Sequence, residues 1–372
     1  MDNRKKILLV FGTRPEAIKM APLVRALAAD ERFVTKVAVT AQHREMLDQV
    51  LECFEIKPDY DLNMMQPGQT LGEITARALG GLQQVIAGEK PDIVLVHGDT
   101  TTTFAGALAA FYEQVPVGHV EAGLRTGDKY APYPEEINRR LTGQLADFHF
   151  APTEVARENL LACGVLPEQI FVCGNTVIDA LLHTVAAGCD LAGYVPAAVD
   201  WRKRIVLLTC HRRENWGRPM EEIFGAVRRL AQEKQGDIEV ICPVHKNPLV
   251  REVAGRLLGD LHNVHLIEPL EYRPFAKLMS LSYLVVTDSG GMQEEAPALG
   301  KPVLVLREVT ERPEAIAAGT ARLIGNRGEG VYQGIRELLE DEGVYRQMAH
   351  AANPYGDGHA AEHIRDILAE RL

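Results

Sequence analysis

Short apolar, β-branched runs alternate with longer amphipathic stretches along nearly all of this chain. The run KILLVF (6–11) and the stretches 33–40, 92–97 and 115–120 read as buried strands. Helices are predicted between them over 16–29, 44–54, 70–87 (with Gly80-Gly81 as a weak point) and 101–113. Pro134 stands where a further helix, 135–146, should begin, and short strands follow at 149–153 and 169–173. The rhythm pauses over 183–201, which holds Gly188, Gly193, Pro196 and several alanines, and an interdomain connection is expected there. It restarts with strands at 204–209, 238–243, 264–267, 284–286 and 302–307, with helices at 220–233, after Pro248 and at 275–281. Strands alternating with helices imply right-handed crossovers and parallel sheets. The expected class is therefore α/β, with two Rossmann-like doubly wound domains, 1–182 and 200–354, facing each other across a cleft.

In open α/β sheets, ligands bind outside the carboxyl ends of the strands. The polar residues collect there. Arg14 follows the first strand, His97-Gly98-Asp99 ends the third, and His119 and Glu121 end the fourth. In the second half, His211-Arg212-Arg213-Glu214, His245-Lys246 and Ser289-Gly290-Gly291 each follow a strand. The last of these predicts a tight turn into a helix whose open amides favour an anion. Glu294 and Glu295 are expected in its first turn, where the dipole favours a carboxylate by about 0.3–1 kcal/mol. An acidic side chain beside a phosphate site suits a ribose diol. Simpler readings stand beside these. Asp99 could cap the helix that follows, worth about 0.5–2 kcal/mol, His97 and His119 could be hydrogen-bonded core histidines, and Glu135 could be a first-turn glutamate. Glu121, between VGHV and Ala122-Gly123, is harder to dismiss, since it sits where burial or a partner would tune its pKa.

Composition narrows the function. The chain has 372 residues, 46% hydrophobic and 24% charged, with a net charge of −11, which argues against nucleic acid or an anionic membrane as partner. Its six cysteines are scattered without a CxxC pair, as in a reducing, cytoplasmic setting. No apolar run approaches the roughly 20 residues of a membrane span, and the basic N-terminus precedes one too short for a signal peptide. No GxGxxG or GxxxxGK[ST] follows a strand and no HExxH-like spacing occurs, so neither a dinucleotide cofactor nor a metal is expected.

Taken together, GTRPEAIKMAP (12–22), HGDTTTT (97–103), GHVEAGLRTGD (118–128), PYPEEINRRLTG (132–143), GNTVIDAL (174–181), HRREN (211–215), PVHKNP (243–248), TDSGGMQEEAPALGKPV (287–303), TERPEA (310–315) and NPYGDG (353–358) closely resemble the bacterial non-hydrolysing UDP-N-acetylglucosamine 2-epimerases. The resemblance implies the glycosyltransferase-B arrangement, with the C-terminal helix (about 355–372) joining the first domain, and a homodimer. It implies interconversion of UDP-GlcNAc and UDP-ManNAc by elimination of UDP to a 2-acetamidoglucal and re-addition, supplying ManNAc units for cell-surface polysaccharide. It places Ser289, Gly290 and Gly291 on the phosphates and Glu295 on the ribose. Arg14, His211 and Arg312 fall on the diphosphate, Lys19 beside it and Phe275 near the uracil. Asp99, Glu121 and Glu135 match the carboxylates assigned to catalysis, His211 also belongs to that set, and the choice of C2 base among the carboxylates stays open. Gln42 and His245 match a second, activating UDP-GlcNAc site of some relatives, whereas Glu45 and Gly68 depart from it.

Overall fold

A computed structural model of the chain describes residues 4–41, 44–66 and 68–372. The chain divides into two compact units, Met1–Ala180 with Tyr355–Leu372, and Leu181–Pro354.

Unit 1 is built in the order β1 (Lys5–Phe11), α1 (Arg14–Ala28), β2 (Phe33–Val39), α2 (Arg44–Cys53), β3 (Tyr60–Asp61), α3 (Leu71–Glu89), β4 (Ile93–His97), α4 (Thr101–Tyr112), β5 (Val117–Val120), α5 (Glu135–Leu145), β6 (Phe148–Ala151), α6 (Glu154–Ala162) and β7 (Ile170–Val172). The helix α7 (Thr176–Ala186) follows and contains the boundary between the units. Its seven strands are parallel, in the order β3-β2-β1-β4-β5-β6-β7. Ile7 to Phe11 and Ile93 to Val96 are wholly buried. Helices cover both faces of such a sheet, so its central strands read as unbroken apolar runs. The Gly80-Gly81 pair leaves α3 intact. A Cβ at Gly81 would come within 3.0 Å of Leu62, so close packing accounts for that glycine.

Unit 2 repeats the plan: β8 (Arg204–Thr209), α8 (Arg218–Glu233), β9 (Ile238–Pro243), α9 (Pro248–Leu258), β10 (Val264–Ile267), α10 (Tyr272–Leu281), β11 (Leu284–Thr287), α11 (Gly290–Ala298), β12 (Val303–Val305), α12 (Pro313–Ala317), β13 (Ala321–Leu323), α13 (Gly328–Glu340) and α14 (Glu342–Ala349). Its six parallel strands run β10-β9-β8-β11-β12-β13. The chain then returns to unit 1, where α15 (Ala360–Arg371) packs on α1.

Both sheets have the doubly wound order, with the reversal between β1 and β4 in unit 1 and between β8 and β11 in unit 2. The crevice outside such a reversal is where this architecture binds ligands. The expected strands are present, joined by the short edge strands β3 and β13, which carry too few residues for an alternating or apolar pattern to announce them. No helix among the described residues is long and apolar enough to cross a membrane.

Candidate active site

In unit 1 the charged groups gather where β1, β4 and β5 end. Thr13 caps α1 and Glu16 completes the capping box. The Glu16 carboxylate accepts hydrogen bonds from the Gly12 amide (3.0 Å), the Thr13 amide (2.7 Å), the Thr100 hydroxyl (2.7 Å) and the Thr103 hydroxyl (3.2 Å). One buried side chain thus fastens the β1–α1 turn to the β4–α4 turn, on either side of the reversal, and burial raises its pKa. Gly12 must be glycine, because a Cβ would lie 2.0 Å from the Thr40 hydroxyl and 2.5 Å from that of Thr102.

The capping alternative for Asp99 fails. Thr100 is the N-cap of α4 and accepts from the Thr103 amide, which leaves the Asp99 carboxylate to Arg139 of α5 at 2.8 Å. Burial raises the pKa of Asp99, Arg139 opposes the rise, and the charges of Glu121 and Glu135 add to it. Glu135 is the first residue of α5 and half-buried, as a dipole-matched glutamate would be. Its neighbour Glu136 is wholly buried, bonded to the Thr126 amide at 3.1 Å and paired with Arg140 at 2.8 Å, a structural role.

Glu121 directly follows β5 at a φ of 61°, the left-handed region. The Lys19 ammonium of α1 and the Asn175 amide (3.0 Å) both bond Oε2, and His97 Nε2 stands 3.8 Å from it. His97 is buried, neither ring nitrogen has a hydrogen-bond partner among the described residues, and burial holds its pKa down at about 4. His119 is the core histidine of the simpler reading: its Nε2 meets the Gly98 carbonyl at 2.7 Å, and burial lowers its pKa to about 3. Arg14, the first residue of α1, is exposed.

Unit 2 centres on Asp288, which the sequence reading passed over. This fully buried carboxylate follows β11 and takes the amides of His211 and Arg212 (2.8 Å each) and the Asn215 side chain (3.0 Å) through Oδ2. Its Oδ1 lies 3.3 Å from His211 Nδ1. Asp288 therefore shapes the HRREN loop and sets a negative charge beside its histidine. Burial lowers the His211 pKa, and Asp288 opposes that shift. His245, matched to the activating site of some relatives, stacks on His211 with centroids 5.6 Å apart. Its proposed companion Gln42 lies outside the described residues.

The Ser289–Gly291 segment differs from expectation in two ways. Ser289 is the N-cap, so Gly290 and Gly291 are the first two residues of α11 and form no separate turn. Glu294 and Glu295 consequently fall in the second turn. Their roles diverge there: Glu294 is buried and paired with the Arg312 guanidinium, while the Glu295 carboxylate reaches back to 3.8 Å from where a Gly291 Cβ would stand. A Cβ on Gly290 would find Arg212 Nη2 at 3.6 Å and Glu311 at 3.7 Å, so cations and carboxylates overhang these open amides. Thr310 holds the Arg312 amide at 3.1 Å and the Gln293 side chain at 2.6 Å. Phe275 is half-buried on α10. Among the described residues no three His, Cys, Asp or Glu side chains are grouped to hold a metal ion.

Glu16, Asn175 and Asp288 were the functional neighbours missed. Thr13-x-x-Glu16 is a capping-box signature and could have been found. Asn175 and Asp288 act on residues 54 and 77 positions away, which no local pattern reveals.

Residues 25–369 match the UDP-N-acetylglucosamine 2-epimerase family model. The chain is 58% identical to the UDP-N-acetylglucosamine 2-epimerase of Escherichia coli O157:H7 over 98% of both chains. It is 56% identical to that of Bacillus subtilis strain 168, over 98% of this chain and 95% of the other. The crystal structure of the UDP-GlcNAc 2-epimerase from Neisseria meningitidis bound to UDP-GlcNAc superposes with a TM-score of 0.86 at 50% identity, covering 98% of this chain and all of that one. With both reversal points furnished as described and this agreement along its length, the chain belongs to the UDP-N-acetylglucosamine 2-epimerase family.

Proposed function

We propose that this protein interconverts UDP-GlcNAc and UDP-ManNAc by eliminating UDP to a 2-acetamidoglucal and adding UDP back at C1 with the C2 proton returned to the opposite face, without net hydrolysis. The observation that carries this reading is the pair of carboxylates at the ends of β4 and β5, Asp99 and Glu121, each set against its own cation. Holding a nucleotide needs neither of them.

Inverting C2 without a nicotinamide requires its proton to leave to a base. The electron pair then forms the C1–C2 double bond as the C1–O bond breaks and the oxygen departs on the β-phosphate. Return of the proton from the other face requires a second group, which is why more than one carboxylate is useful. Asp99, Glu121 and Glu135 are read as that set, with help typically about 10²–10⁴-fold from each general acid or base. Burial raises the pKa of Asp99, the direction that suits a carboxyl to give a proton. Lys19, bonded to Glu121, supports the set. In unit 2 the amides of Gly290 and Gly291, with Ser289, His211 and Arg312, would receive the diphosphate. Donors already in place stabilise charge as it develops on a leaving group. Glu295 would take the ribose hydroxyls and Phe275 the uracil.

We also read the chain as a cytoplasmic homodimer whose product feeds cell-surface polysaccharide. The six free cysteines agree with a reducing compartment. Helices α4 and α5 pack together and expose Phe111, Tyr112, Ile137 and Leu141, apolar surface that a second copy would cover.

Product analysis tests the activity. Incubation with UDP-GlcNAc alone should give a mixture of UDP-GlcNAc and UDP-ManNAc. Free ManNAc and UDP in equal amounts would replace this reading with a hydrolysing epimerase.

A further inference from the structure

The segment returning from unit 2 lies against the loop between β7 and α7. Gly174, at a φ of 88°, leaves room for it: a Cβ there would stand 3.3 Å from the Tyr355 carbonyl and 3.4 Å from Gly356 Cα. The Asn175 amide donates to the Tyr355 carbonyl at 2.7 Å. On α7, the Asp179 carboxylate accepts from the Ala361 amide (2.8 Å) and the Ala360 amide (3.3 Å) at the start of α15. His363 Nδ1 meets the Cys173 carbonyl at 3.2 Å. The strap is thus fastened on both sides of Asn175.

Asn175 is 4% exposed, and its side chain is committed at both ends. Its Oδ1 accepts from the Val177 amide at 3.1 Å, which fixes the amide's orientation, and its Nδ2 donates to Glu121 Oε2 at 3.0 Å. Glu121 needs such a hold, since its backbone sits in the left-handed region that side-chain-bearing residues seldom adopt. Nor is Lys19 alone equivalent, because a lysine ammonium on a flexible stem acts as a point charge and fixes direction poorly.

We propose that Asn175 is a positioning residue for Glu121, itself set in place by the returning C-terminal segment. The inference rests on the reading of Glu121 as an acid–base group in the epimerisation.

The test uses the full chain and the variants Asn175→Ala and Asn175→Asp, with UDP-GlcNAc in D₂O and a separate titration with UDP. Asn175→Ala should lower kcat on the order of 10²-fold, while KM and the UDP Kd stay within about threefold, the pattern of an interaction not used in ground-state binding. Asn175→Asp keeps the acceptor for Val177 and secures a folded comparison. It sets a second carboxylate against Glu121, so its activity should fall at neutral pH and partly return as the pH is lowered and one proton is shared. Wild-type kcat in both variants, or loss of kcat and UDP affinity together, would overturn the proposal. Wild-type protein that leaves C2 unexchanged would overturn the function itself, and the inference with it.

Discussion

Glu121 combines a left-handed backbone with three polar neighbours from distant parts of unit 1: Lys19, Asn175 and His97. Held that way, its carboxylate is aimed by groups that are in place before any ligand arrives. Arg312 belongs to a different task, pairing with buried Glu294 beside the open start of α11. The two residues should therefore fail differently. Glu121→Gln should cut kcat by about 10²–10⁴-fold with UDP affinity nearly unchanged, whereas Arg312→Ala should weaken UDP binding by about tenfold or more, the loss of roughly 1.5–3 kcal/mol expected for a charge-assisted bond. Steady-state kinetics and calorimetric titration with UDP read the two effects separately. The residues themselves were legible, because each follows an apolar strand and a polar cluster there has few structural uses. Their partners were not legible, since Asn175 and Asp288 act across the fold. The position of Glu294 was misread because the helix start moved by two residues once the glycines proved helical.

Among the elements, the turns after β1 and β4 matter most, and Glu16 joins them. Removing its carboxylate would leave two amides and the Thr100 hydroxyl without their acceptor in a buried place, while the Thr103 hydroxyl keeps the His97 carbonyl at 2.5 Å. Each unsatisfied buried donor costs about 1–3 kcal/mol, though relaxation and water recover part of that. Glu16→Ala should therefore destabilise the protein by about 3 kcal/mol, measured by urea unfolding, and should slow turnover through Asp99, one residue before Thr100. A change below about 0.5 kcal/mol, the scale of an ordinary surface substitution, would show that the two turns hold themselves. Strands and helices were legible at this scale because central parallel strands are continuous apolar runs and helices carry a 3.6-residue stripe. The two-residue strand β3 and three-residue β13 are formed by pairing with a neighbour, and pairing is invisible in a local window.

For the whole molecule, three buried histidines of unit 1 shape the response to acid. Burial depresses His97 to about 4, His119 to about 3 and His149 to about 4. Unfolded, each would titrate near 6.5. Between those values the unfolded chain binds protons that the folded chain does not, so the stability they contribute is complete above about pH 6.5 and falls as pH falls, until the folded pKa is reached. Glu16 and Asp99, raised by burial, act in the opposite sense: their share is complete at low pH and lost as pH rises through their folded values. A single variant separates the terms. Wild type should lose about 2 kcal/mol more than His149→Gln between pH 7 and pH 5, read from urea midpoints at each pH, and parallel pH profiles would contradict this. Two doubly wound units were foreseeable from the repeated strand–helix rhythm. The division falls inside α7, ahead of the Gly- and Pro-containing 183–201 stretch. Arg273 of α10 bonds the carbonyls of Ala187 (3.3 Å) and Gly188 (2.9 Å), so that stretch is part of unit 2.

Proton exchange at C2 tests the elimination most directly. With UDP-GlcNAc in D₂O, proton NMR should show the C2 hydrogen of both UDP-GlcNAc and UDP-ManNAc replaced by deuterium as the mixture approaches equilibrium, with the C1 and C3 signals kept. Appearance of UDP-ManNAc with its C2 hydrogen retained would contradict proton removal by these carboxylates and end the account.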